Sequence, residues 1–290
     1  MSVDPTRLLI PEADFVVEID DLLEKHRPSL TVPWSLHDVP AWARHFRPRN
    51  VIDIGAGLGA FTSSFIECLK HWSCLGDLRK VLLLDGEQAL FGADPVQGAA
   101  HVCQAVRAKL GASAPDAEIA YDMRNVEVVG SYVHPLNDLP WQADLIVASH
   151  VTYYLGDGSG LDLVRSLGAH HLAPGGRIWV VIRRLHCPIY ERRSRTLELM
   201  NREDPKPLDY AERFLAMAAQ ALPGLKILAH RTLRFAINRP EPERLRAIHL
   251  LMWRAPPDEV AFPDGWRATK EAARSATPFH EEHLVLGRAE

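Results

Sequence analysis

Apolar residues along this chain switch between two spacings. Val51–Ile54 is a short unbroken apolar run that ends in a glycine cluster, the pattern of a strand buried on both faces. Phe61, Phe65, Leu69 and Trp72 follow, three or four positions apart, as on one face of a helix. Val81–Leu84 predicts a second buried strand, and Val96, Ala99, Cys103, Val106 and Leu110 predict a helix over about 94–110. Val126–Val129 and Leu145–Ala148 predict a third and a fourth strand, with a helix near 159–172 carrying Leu161, Val164, Leu167 and His171. Pro174-Gly175-Gly176 then turns the chain into Ile178–Ile182, a fifth strand.

Strands and helices alternating in this way make a parallel sheet covered on both faces, with right-handed crossovers. The expected class is α/β, a doubly wound and mainly parallel sheet. Both ends of the chain depart from the alternation. Before residue 50, Phe15, Ile19, Leu22 and His26 share one helical face between Pro11 and Pro28, and a second short helix opens near Asp38 and Pro40. After residue 183 comes an arginine-rich stretch to 207, then a helix over about 208–221 and a long strand over about 225–237. A proline-rich excursion at 239–265 and a terminal strand at 283–287 complete the chain. The two late strands pair antiparallel at the sheet edge, giving seven strands in all, and the excursion forms part of a lid. The expected division is an N-terminal helical cap (1–48), a core (49–183) and a C-terminal completion of the sheet with lid or substrate insertions (184–290).

Composition narrows the function. Over 290 residues, 47% hydrophobic and 24% charged positions allow a sizeable core and argue against disorder. The net charge of −4, from 33 basic and 37 acidic residues, argues against a general nucleic-acid or anionic-membrane binder. The four cysteines form no C-x-x-C pair, so they read as reduced thiols of a cytoplasmic protein. The first residues lack a signal pattern, and no apolar run reaches the ~18 residues of a membrane span.

The strongest local signal is Val51-Ile52-Asp53-Ile54-Gly55-Ala56-Gly57-Leu58-Gly59-Ala60-Phe61. A strand enters, three alternating glycines turn, and a helix leaves. Glycine lets a ligand lie against bare backbone, and the helix N-terminus favours a carboxylate or phosphate. A dinucleotide fingerprint places its third glycine at position 60, where this chain has alanine; glycine stands at 59 instead. Asp53 lies inside an apolar strand, where a carboxylate is costly unless a partner such as a ligand ammonium meets it.

The run Asp53–Gly59 resembles the first motif of class I S-adenosylmethionine-dependent methyltransferases, and later segments resemble further motifs in the same order. The resemblance spans about residues 50–182. It implies a Rossmann-like core with helical caps and S-adenosyl-L-methionine as cofactor; no metal site is expected. It places cofactor contacts at Asp53, Gly55, Ala56, Gly57 and Gly59. Asp85 and Gly86, ending the second strand, fall where ribose hydroxyls are held. Gly130 and Ser131 follow the segment likened to the family's third strand, where adenine is contacted; the family's usual aspartate is serine here. Ser149 ends the fourth strand, and the residues after it face substrate.

The chemistry of methyl transfer asks for alignment, desolvation and sometimes a base. His150 is the candidate base, with a pocket-wall role as the alternative. Tyr153 and Tyr154 either face the sulfonium and the acceptor or pack in the core. Trp34 covers the cofactor or anchors the N-terminal segment, and the arginines between 183 and 195 bind an anion or form a solvated face. His280 and His283 point to opposite faces of a strand, which argues against a shared metal. The resemblance implies a small-molecule N- or O-methyltransferase without nucleic-acid or membrane partners. Two other enzymes share the pattern: one that uses the sulfonium for aminobutyryl transfer or cyclisation, releasing methylthioadenosine, and a nicotinamide-dependent oxidoreductase. A non-catalytic binding module on the same fold is a further alternative.

Overall fold

A computed structural model of the chain describes residues 45–91, 93–130, 132–152, 159–183, 211–235, 241–253, 263–274 and 279–288. The expected N-terminal cap helices, with Trp34, lie outside these residues, as do Ser131, Tyr153, Tyr154 and Arg192.

The central sheet has seven strands: β1 (Asn50–Ile54), β2 (Lys80–Leu84), β3 (Glu118–Asp122), β6 (Ala143–Ser149), β7 (Leu172–Arg183), β8 (Leu225–Phe235) and β9 (Phe279–Arg288). Their spatial order is β3-β2-β1-β6-β7-β9-β8. The first five run parallel, and β9 runs antiparallel between β7 and β8. A separate hairpin pairs β4 (Glu127–Val129) with β5 (Tyr132–His134).

Burial explains which strands the sequence announces. Ile52, Ile54, Leu83 and Leu84 are buried, as are Ile146, Val147, Ile178 and Val180, each worth about 1.5–3 kcal/mol when taken out of water. One face of the sheet is covered by α1 (Ala60–His71) and α2 (Pro95–Leu110), through Phe65, Leu69, Val102 and Val106. The other face packs against α3 (Ser159–Ser166) and α4 (Ala211–Ala221), through Val164 and Phe214. Local signals set the ends. Asp94 accepts from the Gln97 amide at 3.0 Å and Pro95 follows it, a capped helix start with proline in its first turn. The Asp144 carboxylate accepts the Arg49 and Asn50 amides at 2.9 Å each, pinning the entry of β1 to β6. At Pro174-Gly175-Gly176 the β6–β7 register slips, with Ala143 opposite Leu172 and Leu145 opposite Arg177; Gly175 takes φ +74° there.

One expectation needs correcting. Val126–Val129 is not the third strand of the parallel sheet; its last three residues form the hairpin instead. The third strand is Glu118-Ile119-Ala120-Tyr121-Asp122, at the sheet edge beside β2. Within the stretch at 239–265 the described residues are helical, in α5 (Glu241–Trp253) and the start of α6 (Pro263–Arg274). Pro263 stands in the first turn of its helix, where proline is tolerated. Among the described residues, no helix is long and apolar enough to cross a membrane.

Candidate active site

The C-terminal ends of β1, β2 and β6 meet where open α/β sheets bind ligands. From Ile54 the chain crosses toward β2, with the Gly55 and Ala56 amides donating to the Leu84 carbonyl at 2.8 and 3.2 Å. Gly55, Gly57 and Gly59 take φ of +70°, +52° and +74°. Side chains disfavour that region by roughly 1–2 kcal/mol per residue. Space is short as well: a Cβ on Gly55 would lie 2.9 Å from Val151 Cβ, and one on Gly59 2.7 Å from Val102 Cγ1. Gly59 also caps α1, whose N-terminus therefore opens at the loop.

Two carboxylates frame this loop. Asp85 accepts the Gly57 amide at 2.9 Å and the Glu87 amide at 3.0 Å, so its orientation is set by backbone on both sides. Each oxygen keeps acceptor capacity for a ligand hydroxyl. Asp53 is fully buried on the α1 side of β1. Thr62 of α1 donates to its Oδ2, while Oδ1 has no hydrogen-bond partner among the described residues. Burial pushes its carboxyl up to about 7, against the lowering effect of the Thr62 hydrogen bond and with a smaller push from Asp85. An orphaned acceptor of this kind, two residues before the loop, suits a cationic ligand group.

Tyr121, which the sequence did not single out, donates from β3 to the Gly57 carbonyl at 2.6 Å. Burial and the nearby carboxylates hold its phenol protonated well above the usual tyrosine range, which keeps it a donor. Phe91 packs edge-on against its ring at 5.1 Å. The loop is thus gripped at one residue from two strands, Gly57 N–H by β2's aspartate and Gly57 C=O by β3's tyrosine.

Asp53, Gly55, Ala56, Gly57, Gly59, Asp85, Gly86, Ser149 and His150 are brought to this one edge of the sheet. Gly86 lies against Asn125, leaving no room for a Cβ. Gly130 is not brought there. It lines a cavity with Gly168, His170, Leu225 and Arg288, where β7 and β8 begin, at the opposite edge. The cause is the hairpin: Tyr132 of β5 stacks on His170 at 4.8 Å and carries the turn away from the glycines. The segment that does leave the third strand is Met123-Arg124-Asn125. There Asp122 pairs with Arg124 at 2.6 Å, and the Arg124 hydrogen bond holds the Asp122 carboxyl below its usual range.

His150 directly follows β6 at φ +58°, held there by its amide donating to the Val181 carbonyl at 2.9 Å. Its Nε2 lies 3.1 Å from Glu281 Oε1, a buried carboxylate at the start of β9. No sequence signal links these two residues; the antiparallel pairing of β9 with β7 makes the contact.

No family model matches the sequence, and none of the curated proteins matches it. Solved structures do match. A S-adenosylmethionine-dependent methyltransferase from Geobacter sulfurreducens, in complex with S-adenosyl-L-homocysteine, superposes with a TM-score of 0.51 at 14% identity, over 97% of this chain and 100% of that one. A second such methyltransferase, from Thiobacillus denitrificans and also in complex with S-adenosyl-L-homocysteine, gives 0.49 at 16% identity, over 97% and 99%. The [4+2]-cyclase SpnF gives 0.47 at 13% identity, over 97% and 98%. The first of these shows the fold: this chain has the architecture of a class I S-adenosylmethionine-dependent methyltransferase.

Proposed function

We propose that the chain binds S-adenosyl-L-methionine along Gly55–Gly59 and transfers its methyl group to nitrogen or oxygen of a small molecule. The observation that carries the cofactor reading is the pairing of an orphaned buried acceptor on Asp53 with a side-chain-free loop. Asp53 would meet the aminoacyl ammonium, directly or through water. Asp85 would hold the ribose hydroxyls, and the segment after β3, with Asn125 against Gly86, would border the adenine. When bound, the cofactor supplies an electrophilic methyl on a sulfonium, and the protein's part is alignment and exclusion of water.

Small-molecule specificity is supported by the share of the chain outside the core. Residues before 49 and after 183 make up half of it, and the net charge is negative, not basic. Of that half, β8, β9 and α4 complete the sheet and its cover; in this reading the remainder supplies a cap and lid.

The test has two parts. Calorimetric titration with S-adenosyl-L-homocysteine should give saturable binding. Incubation with S-adenosyl-L-methionine and a panel of phenols and amines should release S-adenosylhomocysteine. Methylthioadenosine as the nucleoside product would replace methyl transfer with aminobutyryl chemistry.

A further inference from the structure

We propose a second small-molecule site, at the end of the sheet opposite the glycine loop, that takes a small organic carboxylate with an apolar body. It goes beyond the cofactor reading and does not depend on it.

A cavity of about 620 Å³ opens where β7 and β8 begin and β9 ends, within the range of roughly 300–1,000 Å³ that small-molecule sites occupy. The glycine loop follows the far end of β1. β6, beside β1, is seven residues long, so at ~3.3 Å per residue the two sites lie about 20 Å apart.

The cavity wall is built on a helical irregularity. α3 runs directly into a π-helical turn, Leu167–His171, closed by the Leu172 amide donating to the Leu167 carbonyl. Turns of this kind are rare and gather at functional sites. Gly168 gives the turn its close approach to β8, since a Cβ there would lie 2.6 Å from Leu225 Cδ1. Side chains from two other elements brace its carbonyls. Gln142 Nε2, just before β6, donates to the His170 carbonyl at 3.3 Å. Arg288 Nη2, at the end of β9, donates to the Gly168 and Leu172 carbonyls at 3.2 and 2.8 Å.

This bracing fixes Arg288 at the cavity wall and uses only one of its nitrogens. Nε and Nη1 keep their N–H donors, and the positive charge stays whole. The other ionised groups of the lining are Arg165 and Asp162, which pair with each other. Two guanidinium charges against one carboxylate leave a single positive charge, which matches a monoanion. A phosphate dianion would add repulsion from Asp162. Ser166, buried beneath the cavity, contributes a hydroxyl, and Tyr132 holds the His170 ring in place by stacking on it at 4.8 Å. The rest of the wall is apolar or bare. Ala169, Pro223 and Leu225 line it, and a Cβ on Gly130 or Gly224 would meet nothing. One ionic group can therefore bond to the guanidinium while a hydrophobic body covers the remaining surface.

The test is a proton–nitrogen NMR titration of the intact chain with cinnamate, with the uncharged cinnamamide and with inorganic phosphate. Cinnamate should shift the Gly168, His170 and Leu225 amides saturably, with a dissociation constant of about 1 mM or below. Cinnamamide and phosphate should each bind about tenfold more weakly or worse. Arg288→Gln, whose amide can still donate to the turn's carbonyls, should weaken cinnamate by about tenfold or more. Ala169→Trp fills the cavity without touching those bonds and should abolish binding; it also carries the test if Arg288→Gln does not fold. Saturating S-adenosyl-L-homocysteine should leave cinnamate affinity within about twofold, because the sites are far apart. No saturable shift at the three amides, or equal affinity in both variants, would overturn the proposal. So would shifts confined to Gly55–Gly59, which would put the carboxylate in the cofactor cleft. Equal binding of cinnamamide would overturn the anionic assignment, and tighter binding of phosphate the choice of a carboxylate. Failure of the cofactor reading shows separately, as an absence of shifts with S-adenosyl-L-homocysteine, and leaves the cinnamate titration intact.

Discussion

Replacing Asp53 by asparagine should make the ligand-free protein's stability less dependent on pH while weakening the ligand site. Below pH 3.8 this carboxyl is neutral folded or unfolded and costs nothing. Between 3.8 and about 7 the unfolded chain has released its proton and the folded chain has not, so stability falls as pH rises. Above about 7 both states are ionised and the penalty is constant. Each pH unit across that window is worth ~1.4 kcal/mol, so the full cost is about 4 kcal/mol, of which rather under half is already present at about pH 5. Asparagine keeps the shape and can still accept from Thr62, but its amide N–H₂ adds a pH-independent cost of about 1–3 kcal/mol. The informative quantity is therefore the change between two pH values. Urea unfolding at about pH 5 and about pH 8 should show Asp53→Asn gaining about 2–3 kcal/mol relative to wild type at the higher pH. A difference between the two proteins that is the same at both pH values would refute the buried, ionisable and under-bonded state of Asp53. At the higher pH the same variant should also bind S-adenosyl-L-homocysteine more weakly.

Further expectations concern the loop, the ribose position and the core. Asp85→Ala removes the acceptor that orients Gly57 and the proposed ribose contact; calorimetry should show affinity for S-adenosyl-L-homocysteine falling by about 10- to 100-fold, and unchanged affinity would remove the role. Gly59→Ala places a methyl 2.7 Å from Val102 at φ +74°, costing about 1–3 kcal/mol in urea unfolding. Adding Val102→Ala should not restore the backbone share of that loss, and full recovery would show that strain at Gly59 is negligible. His171 is held down to about 4, by burial first and His170 second. As pH falls from about 6.5 to 4 the unfolded chain gains a proton that the folded chain refuses, so up to about 3 kcal/mol of stability is lost across that window. His171→Gln should flatten that slope in acid unfolding curves, and an unchanged slope would contradict it.

How much of this could be read from the sequence depended on burial. β1, β2, β6 and β7 are buried on both faces, so their apolar runs are continuous and unmistakable. β3 sits at the edge, and its Glu118, Ala120 and Asp122 dilute the apolar signal of Ile119 and Tyr121. The Val126–Val129 run is more apolar, yet Gly130 at φ +63° folds it back on Tyr132–His134. That hairpin takes Gly130, expected at adenine, to the other end of the sheet, while Ser131 lies outside the described residues. The glycines, Asp53 and Asp85 were legible because their chemistry is local, a few residues either side of a strand end. Tyr121 and Glu281 were not, because their roles exist only through pairing. Tyr121 reaches Gly57 across β2, and Glu281 reaches His150 because the last strand returns antiparallel against β7. No spacing rule connects positions so far apart in the chain.

The most direct measurement is a paired titration of the intact protein with S-adenosyl-L-homocysteine and with NADH, followed by calorimetry and thermal unfolding. One molecule of the nucleoside should bind per chain and raise the unfolding temperature, with no effect from NADH. Stabilisation by NADH with no heat from S-adenosyl-L-homocysteine would show that the bare loop above β1 receives a dinucleotide, and would contradict the account.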